Sequence, residues 1–216
     1  MKNVLRSYIV KNSKEILKIT GRGDNKLWES AHCLTDFISP WDSKDVHKIE
    51  FKSLWDKYKI VFFFKVNDSE VHIDPADDSI KSINNSDRVE LFFRSDQYLD
   101  PYYCLEIDPL GRIMDFMARP DKQFDFNWNW KHQEIEVKSA VSTTFFTVEI
   151  AISLSSMTNL GLLKNGRIET GIYRAKYNRL EDGNFDPTWI TWVDPNTKMP
   201  NFHISSSFGV LELEEF

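Results

Sequence analysis

Residues 88–118, RVELFFRSDQYLDPYYCLEIDPLGRIMDFMA, contain three short segments that predict β-strands: 88–94, 102–107 and 113–118. In the first two segments apolar residues recur at every second position, which is the side-chain period of a strand that faces a core on one side. The turn Asp108-Pro109-Leu110-Gly111 separates the last two segments, and proline and glycine suit a tight reversal of the chain. We therefore predict neighbouring antiparallel strands with short connections.

Similar short apolar segments, divided by turn residues, recur along the rest of the chain. One segment, 153–160, looks helical, with Ser153 as its N-cap and Gly161 after its end. Many strands with little helix predict an all-β fold, namely an antiparallel β-sandwich of the jelly-roll type with one short helix. We expect one domain over residues 1–216, with residues 1–24 as an N-terminal extension that adds a strand at an edge. The remaining predicted strands span residues 14–20, 46–54, 58–66, 134–141, 145–152, 168–178, 189–193 and 210–213.

The composition argues against several classes of function. The chain has 27 basic and 33 acidic residues and a formal net charge of −6, which disfavours nucleic acid as a partner because phosphate binding favours a basic surface. No segment approaches the ~18 consecutive apolar residues of a membrane span, and residues 1–11 lack the apolar core of a secretory signal. Cys33 and Cys104 permit one disulfide, but we expect two free thiols.

Several predicted strands carry charged side chains on the face opposite to the apolar one. In segment 88–94, Glu90 and Arg94 share such a face, and in segment 168–178 Arg174 lies on the charged side. One interpretation is a solvated outer face with weak cross-strand ion pairs. The other is a concave polar floor that forms hydrogen bonds with the hydroxyl groups of a ligand.

Two aromatic clusters are candidates for a binding surface. In TWITWVDP we expect Trp189 and Trp192 to share one face of a strand that ends at the Asp-Pro pair. Flat rings at the mouth of an all-β domain suit stacking against a sugar ring, and they equally suit core packing. In FDFNWNW, Trp128 and Trp130 would form a sugar platform if they were exposed and a plug of the fold if they were buried.

Several motifs follow one another in a characteristic order. They are LWD (54–56), YKIVFFFKVND (58–68), DRVELFF (87–93), YCLEIDPLG (103–111), EIAIS (149–153), GIYRA (171–175) and a closing block at 192–209. In order and spacing they resemble the carbohydrate-binding modules of family 9, and the resemblance extends over residues 28–216. The resemblance implies a DOMON-like β-sandwich that binds a saccharide without catalysis.

The resemblance also implies a slot in which two tryptophans hold a sugar end while charged and amide side chains bond its hydroxyl groups. The C-terminal tryptophan of that slot corresponds to Trp192 or to its neighbour Trp189. Arg174, Glu90 and Arg94 lie at or beside matching strand positions, so we expect them to bond hydroxyl groups.

The loop that should supply the second tryptophan is different in this chain. Residues 74–86 contain no aromatic residue. Three interpretations stay open: the slot is open on one side, another loop supplies the ring, or the ligand has changed. Trp128 and Trp130 are our reserve candidates for the missing ring.

The resemblance implies structural calcium ions and no other cofactor. It also implies an oligosaccharide or polysaccharide partner, a role in the use of xylan- or cellulose-type polysaccharides, and proteins that are mostly extracellular or periplasmic. Calcium takes several oxygen ligands, and one acidic stretch offers them, although a solvated acidic loop is the alternative. The candidate metal ligands are Asp68, Asp74, Asp77 and Asp78.

Two other functions compete with saccharide binding. A xylanase-like hydrolase needs two carboxylates across the scissile bond, and Glu106 and Glu149 are candidates for that pair. A structural or protein-interaction domain would have kept the fold and lost the slot. We assign no catalytic residue and expect a non-catalytic protein.

Overall fold

The structure is a computed structural model that describes residues 6–215, so residues 1–5 of the expected N-terminal extension and Phe216 lie outside the described part. The described chain forms two α-helices, α1 (Ile80–Asn84) and α2 (Leu154–Asn159), and thirteen strands. The strands are β1 (Ser7–Asn12), β2 (Ile49–Trp55), β3 (Lys59–Asn67), β4 (Arg88–Arg94), β5 (Tyr102–Ile107), β6 (Ile113–Arg119), β7 (Gln123–Asp125), β8 (Ile135–Val141), β9 (Phe145–Ser153), β10 (Leu163–Lys164), β11 (Arg167–Arg179), β12 (Phe185–Thr191) and β13 (Gly209–Leu213).

The strands form one curled mixed sheet in the order β7-β6-β5-β4-β11-β13-β1-β2-β3-β9-β8, and β10 and β12 also pair with β11. The mostly-β prediction is confirmed, but the purely antiparallel arrangement is wrong. β1 joins the two halves of the sheet because its first residues pair in parallel with β13 and its last residues pair in parallel with β2. β1 therefore lies inside the sheet rather than at an edge.

The two halves of the curled sheet face each other across the main apolar core. Phe62 of β3 and Phe93 of β4 meet there with ring centroids 5.9 Å apart. Val89 and Leu91 join Phe93 in this core, as the alternation in segment 88–94 predicts. Each such buried side chain contributes about 1.5–3 kcal/mol to stability, so the inner face of β4 is fixed and its outer face carries the intervening residues.

A second apolar cluster covers the outer face of β4, β5, β6 and β11. Phe92, Cys104 and Phe116 project outward from the sheet, and Phe202 and Phe208 of the segment after β12 pack on them. This outer layer matters for function because it brings residues that are far apart in sequence to one surface. Cys104 is buried and Cys33 is exposed, and both are free thiols, as predicted.

A third cluster covers the outer face of β2, β3 and β9. Leu17, Ile19 and Trp28 bury their side chains there against Phe63. The prediction of a strand over residues 14–20 is wrong, because this segment runs extended without a strand partner. Burial of alternate side chains on a sheet face gives the same period-two pattern as a strand.

The two helices are short. Ser153 caps α2 by accepting a hydrogen bond from the Ser156 amide at 3.1 Å, and Gly161 follows with φ 68°, so the predicted helix and its boundaries are confirmed. Helix α1, capped by Ser79, was not predicted. Neither of these helices has the length or apolar character that crossing a membrane requires.

Candidate functional site

A cleft of about 550 Å³ lies on the outer face of the sheet, over β4, β5 and β6. The register of β4 and β5 sets Glu90 directly opposite Glu106, and both side chains point outward because their neighbours Leu91 and Leu105 fill the inner core. Arg88, two residues before Glu90 on β4, lies on the same face. These three charged residues form the floor of the cleft. We call the three residues the floor trio.

The floor trio is buried, with 2 to 5% of each residue exposed. Arg88 Nε donates to Glu106 Oε2 at 2.5 Å and lies 3.0 Å from Glu90 Oε1, while Arg88 Nη1 donates to the carbonyl oxygen of Asn84 at 2.8 Å. The Nε–H group is directed at Glu106, so Glu90 Oε1 is close enough for an ion pair but receives no hydrogen bond from residues 6–215. One buried carboxylate oxygen of the floor is thus left unsatisfied.

Burial sets the protonation of the floor trio. Loss of hydration raises the pKa of Glu90 to about 8, the nearby Glu106 raises it as well, and Arg88 opposes both effects. Burial also raises the pKa of Glu106. For Arg88, burial acts to lower the pKa, but the carboxylates outweigh it and raise the pKa, so the guanidinium stays charged. Burial therefore favours the protonated form of Glu90 at neutral pH.

Aromatic rings form the walls of the cleft. Trp189 of β12 stands on one side, with Arg88 Cζ 5.7 Å from its ring centroid. Phe124 and Phe126 stand on the other side, 38% and 44% exposed, and pack on Phe116 with ring centroids 5.1 and 4.8 Å away. Two opposing aromatic walls over a charged floor suit a ligand with both flat apolar faces and polar edges.

His203 supports the aromatic wall rather than supplying a charge. Its ring stacks on Phe92 at 5.0 Å and lies 4.9 Å from Phe124, and its Nδ1 is 3.0 Å from the Tyr102 hydroxyl. Burial lowers the pKa of His203 to about 4, so the ring is neutral at pH 7.

The two tryptophans of TWITW lie in different surroundings, so the prediction that they share a face is wrong. Trp189 and Trp192 are three positions apart, and side chains three positions apart in a strand point to opposite sides. Trp189 is half-buried and lines the cleft, whereas Trp192 is 1% exposed and lies in the main core. A Cβ atom at Gly209 would come within 2.4 Å of the Trp192 ring, which shows how closely that ring is enclosed.

The two other predicted arginines lie outside the cleft. Arg174 points inward from β11, is 1% exposed, and forms ion pairs with Asp68 and Asp87. Arg94, at the far end of β4, donates to Glu169 at 2.5 Å and to the Ser205 carbonyl at 2.8 Å. Of the charged residues that the sequence proposes for the sugar slot, namely Glu90, Arg94 and Arg174, Glu90 alone lines the cleft.

The aromatic residues of segment 124–130 lie in two different parts of the structure. Phe124 and Phe126 line the cleft, as described above. Trp130 belongs to the main core, and its indole N–H donates to the Ser156 hydroxyl at 3.2 Å. Trp128 is half-buried, with its ring 4.7 Å from that of Tyr103, and lines a separate hollow of about 120 Å³.

The candidate metal ligands do not form a calcium cage. Asp68 is buried beside two cations, Arg174 and Lys176, and its carboxylate lies 2.9 Å from Lys176 Nζ. Asp74 and Asp77 accept hydrogen bonds from amides of their own loop at 3.0 and 2.9 Å.

The fourth candidate, Asp78, is 90% exposed at its side chain. Arg112 crosses this loop, donates to the Asp74 carbonyl at 2.9 Å and lies 3.7 Å from the Asp78 carboxylate. Within residues 6–215 no group of three or more His, Cys, Asp or Glu side chains could hold a metal ion.

The carboxylate pair of the hydrolase alternative does not meet in one cleft. Glu149 is fully buried on the other half of the sheet, under residues 17–29. Its Oε1 accepts from the Trp28 indole at 2.7 Å, and its Oε2 accepts from the Thr20 and Gly21 amides at 2.8 and 2.5 Å. Glu149 thus anchors the N-terminal segment, while Glu106 lies in the floor trio.

Comparison with known proteins agrees with this architecture. The sequence model of the family described as carbohydrate family 9 binding domain-like matches residues 19–216. The chain belongs to this family. A search of curated proteins finds no match.

Among solved structures, a candidate carbohydrate-binding protein from Bacteroides uniformis is similar, with a TM-score of 0.70 and 16% identity over 97% of this chain and 100% of that one. A family 9 carbohydrate-binding module from Caldicellulosiruptor kristjanssonii in complex with glucose has a TM-score of 0.63 and 13% identity, covering 97% and 96% of the two chains. The cellotriose complex of such a module gives 0.62 and 14%, covering 97% and 94%. At these identities the likeness establishes the fold alone.

Proposed function

We propose that the cleft binds a saccharide without catalysis. Trp189 on one wall and Phe124 and Phe126 on the other stack on the C–H faces of the sugar, while the floor trio bonds its hydroxyl groups. The observation that carries this proposal is the combination of exposed rings on both sides with a buried, charged floor that retains an unsatisfied oxygen.

The floor trio has the chemistry that hydroxyl groups need. Each hydroxyl both donates and accepts a hydrogen bond, the carboxylates accept, and the guanidinium donates. Hydrogen bonds that involve charged groups are stronger than neutral ones, and burial of the trio strengthens them further. The related modules in complex with glucose and cellotriose support a saccharide as the ligand class.

The wider role that we propose is the use of xylan- or cellulose-type polysaccharides, with this domain as the non-catalytic binding part. No observation favours hydrolysis, since Glu149 is committed to structural hydrogen bonds. Glu90 and Glu106 lie on adjacent strands and both pair with Arg88, whereas a hydrolase places its two carboxylates on either side of the scissile glycosidic bond.

Calorimetric titration with glucose, cello-oligosaccharides and xylo-oligosaccharides tests the proposal. We expect Trp189→Ala to weaken binding about tenfold or more, because loss of one stacking ring removes about 1.4 kcal/mol or more. Trp128→Ala is the matched control, since Trp128 is a half-buried tryptophan outside the cleft. Absence of binding to every sugar, or equal loss in the two variants, would contradict the proposal and favour a protein-interaction domain.

A further inference from the structure

The cleft has one feature that a neutral sugar does not explain, namely the unsatisfied oxygen of Glu90. We propose that the cleft selects saccharides that carry a protonated amine, and that the ammonium group binds at the Glu90 carboxylate. This inference rests on the proposed function and names the class of sugar. It follows from geometry, charge and the nature of the walls.

The geometry leaves one buried oxygen of Glu90, at the floor of the cleft, without a hydrogen-bond donor. Its side chain is 2% exposed, it lines the cleft, and its Oε1 accepts no hydrogen bond from the described residues 6–215. Arg88 cannot turn toward it freely, because Nη1 is held by the Asn84 carbonyl and Nε by Glu106. A buried carboxylate oxygen without a donor is costly, and an ammonium group brings three donors.

The charges of the floor trio sum to one uncompensated negative charge when both carboxyl groups are ionised. Burial and the nearby Glu106 raise the pKa of Glu90 to about 8, so in the free protein a proton on Glu90 neutralises this charge. A ligand ammonium can replace this proton, since it supplies the same charge at the same oxygen. Binding of an amine should therefore release a proton, and binding of a neutral sugar should not.

The other protein groups around Glu90 do not supply the positive charge that would balance its carboxylate. From β5 it faces Glu106 and the neutral Cys104, and from β11 it faces Tyr173, whose pKa is raised by burial. From the segment after β12 comes His203, which burial keeps neutral. Lys81 of α1 lines the cleft but is exposed, so water screens its charge.

The walls also suit a cation. The faces of tryptophan and phenylalanine rings attract ammonium groups, most strongly where water is excluded. Trp189, Phe124 and Phe126 surround the approach to Glu90. Aromatic walls around a carboxylate are a general arrangement for the recognition of amines, and a neutral hydroxyl group gains only the stacking contribution.

Calorimetric titration of the whole chain with glucose, 2-amino-2-deoxyglucose and its N-acetyl derivative tests the inference. We expect the free amine to bind about tenfold or more tightly than the other two sugars near neutral pH. In two buffers with different ionisation enthalpies, the heat of amine binding should differ by release of up to about one proton. The heats of the two neutral sugars should be independent of the buffer.

Glu90→Gln keeps the size of the side chain and removes its charge. We expect it to abolish both the proton release and the preference for the amine over glucose, measured as the ratio of the two affinities. Glu136→Gln is the matched control, since Glu136 lies on β8 in the other half of the sheet and pairs with Lys138, and it should behave as the wild type. Equal affinity for glucose and its amine analogue in the wild type, or an unchanged preference in Glu90→Gln, would overturn the inference and leave saccharide binding intact. Failure of all sugars to bind would overturn both proposals.

Discussion

The buried carboxyl pair makes the stability of the protein depend on pH, and Glu90→Gln tests this most directly. In the unfolded chain Glu90 ionises near its ordinary pKa of 4.5, whereas in the folded chain it keeps its proton up to about pH 8. Between these values the folded state binds the extra proton, so rising pH favours unfolding. The contribution of Glu90 is complete below about pH 4.5 and is lost as the pH rises through about 8.

The magnitude follows from the two pKa values. Each pH unit between 4.5 and about 8 corresponds to about 1.4 kcal/mol, so the full interval corresponds to about 5 kcal/mol. Glutamine has the shape of the protonated acid and cannot ionise. The stability of Glu90→Gln should therefore not fall with rising pH through the titration of this residue. The variant should therefore gain stability relative to the wild type by up to about 5 kcal/mol between about pH 5 and about pH 9.

Urea denaturation followed by tryptophan fluorescence at a series of pH values measures this difference. Taking the variant minus the wild type cancels the titrating groups that do not interact with Glu90, among them His203, whose pKa is lowered. Glu136→Gln, on an exposed ion pair, should give a flat difference over the same range. A flat difference for Glu90→Gln would refute the reasoning, because it would mean that Glu90 is ionised in the folded protein at neutral pH.

Two further predictions concern residues outside the cleft. Glu149→Gln should destabilise the protein by about 2–4 kcal/mol, because the amide nitrogen replaces one carboxylate oxygen and cannot accept either the Trp28 bond or the Thr20 and Gly21 bonds; a loss below about 1 kcal/mol in urea denaturation, or unchanged exchange rates of the Trp28 indole and of both amides together, would contradict this. Calcium or a chelator should change the melting temperature by less than about 1 °C, since cationic side chains pair with Asp68 and Asp78 and loop amides bond Asp74 and Asp77; a calcium-dependent rise of several degrees in a thermal scan would show a site that these contacts do not reveal.

The strands that bury one face were predictable from the sequence, and the long-range pairings were not. Period-two alternation placed Leu91 in the core and Glu90 on the outer face, and both lie there. The same alternation at residues 14–20 predicted a strand, but the backbone amides at its end bond the Glu149 side chain. The local amino-acid sequence does not show whether a backbone amide will bond a carboxylate or a neighbouring strand. The central position of β1 is likewise set by partners about 200 and 45 residues away in the chain.

The candidate site was only partly predictable for a related reason. Alternation assigns Glu90 to an outward face, but Arg88 and Glu106 become its neighbours through the β4–β5 register. Sequence reasoning favoured Trp192 over Trp189, although counting three positions along a strand would have separated their faces. The exposure of each ring then decides which tryptophan can contact a ligand, and that exposure depends on the segment that folds back after β12.

The loop at residues 74–86 shapes the cleft without supplying an aromatic ring. Phe124 of β7 and Phe126, which follows β7, form the wall opposite Trp189. Its helix α1 ends at Asn84, whose carbonyl oxygen, together with that of Ser86, accepts from Arg88 Nη1. These bonds fix the guanidinium so that its Nε–H is directed at Glu106 and not at Glu90. The loop therefore acts through the floor trio, because the orientation that it imposes on Arg88 leaves Glu90 Oε1 without a hydrogen bond from residues 6–215.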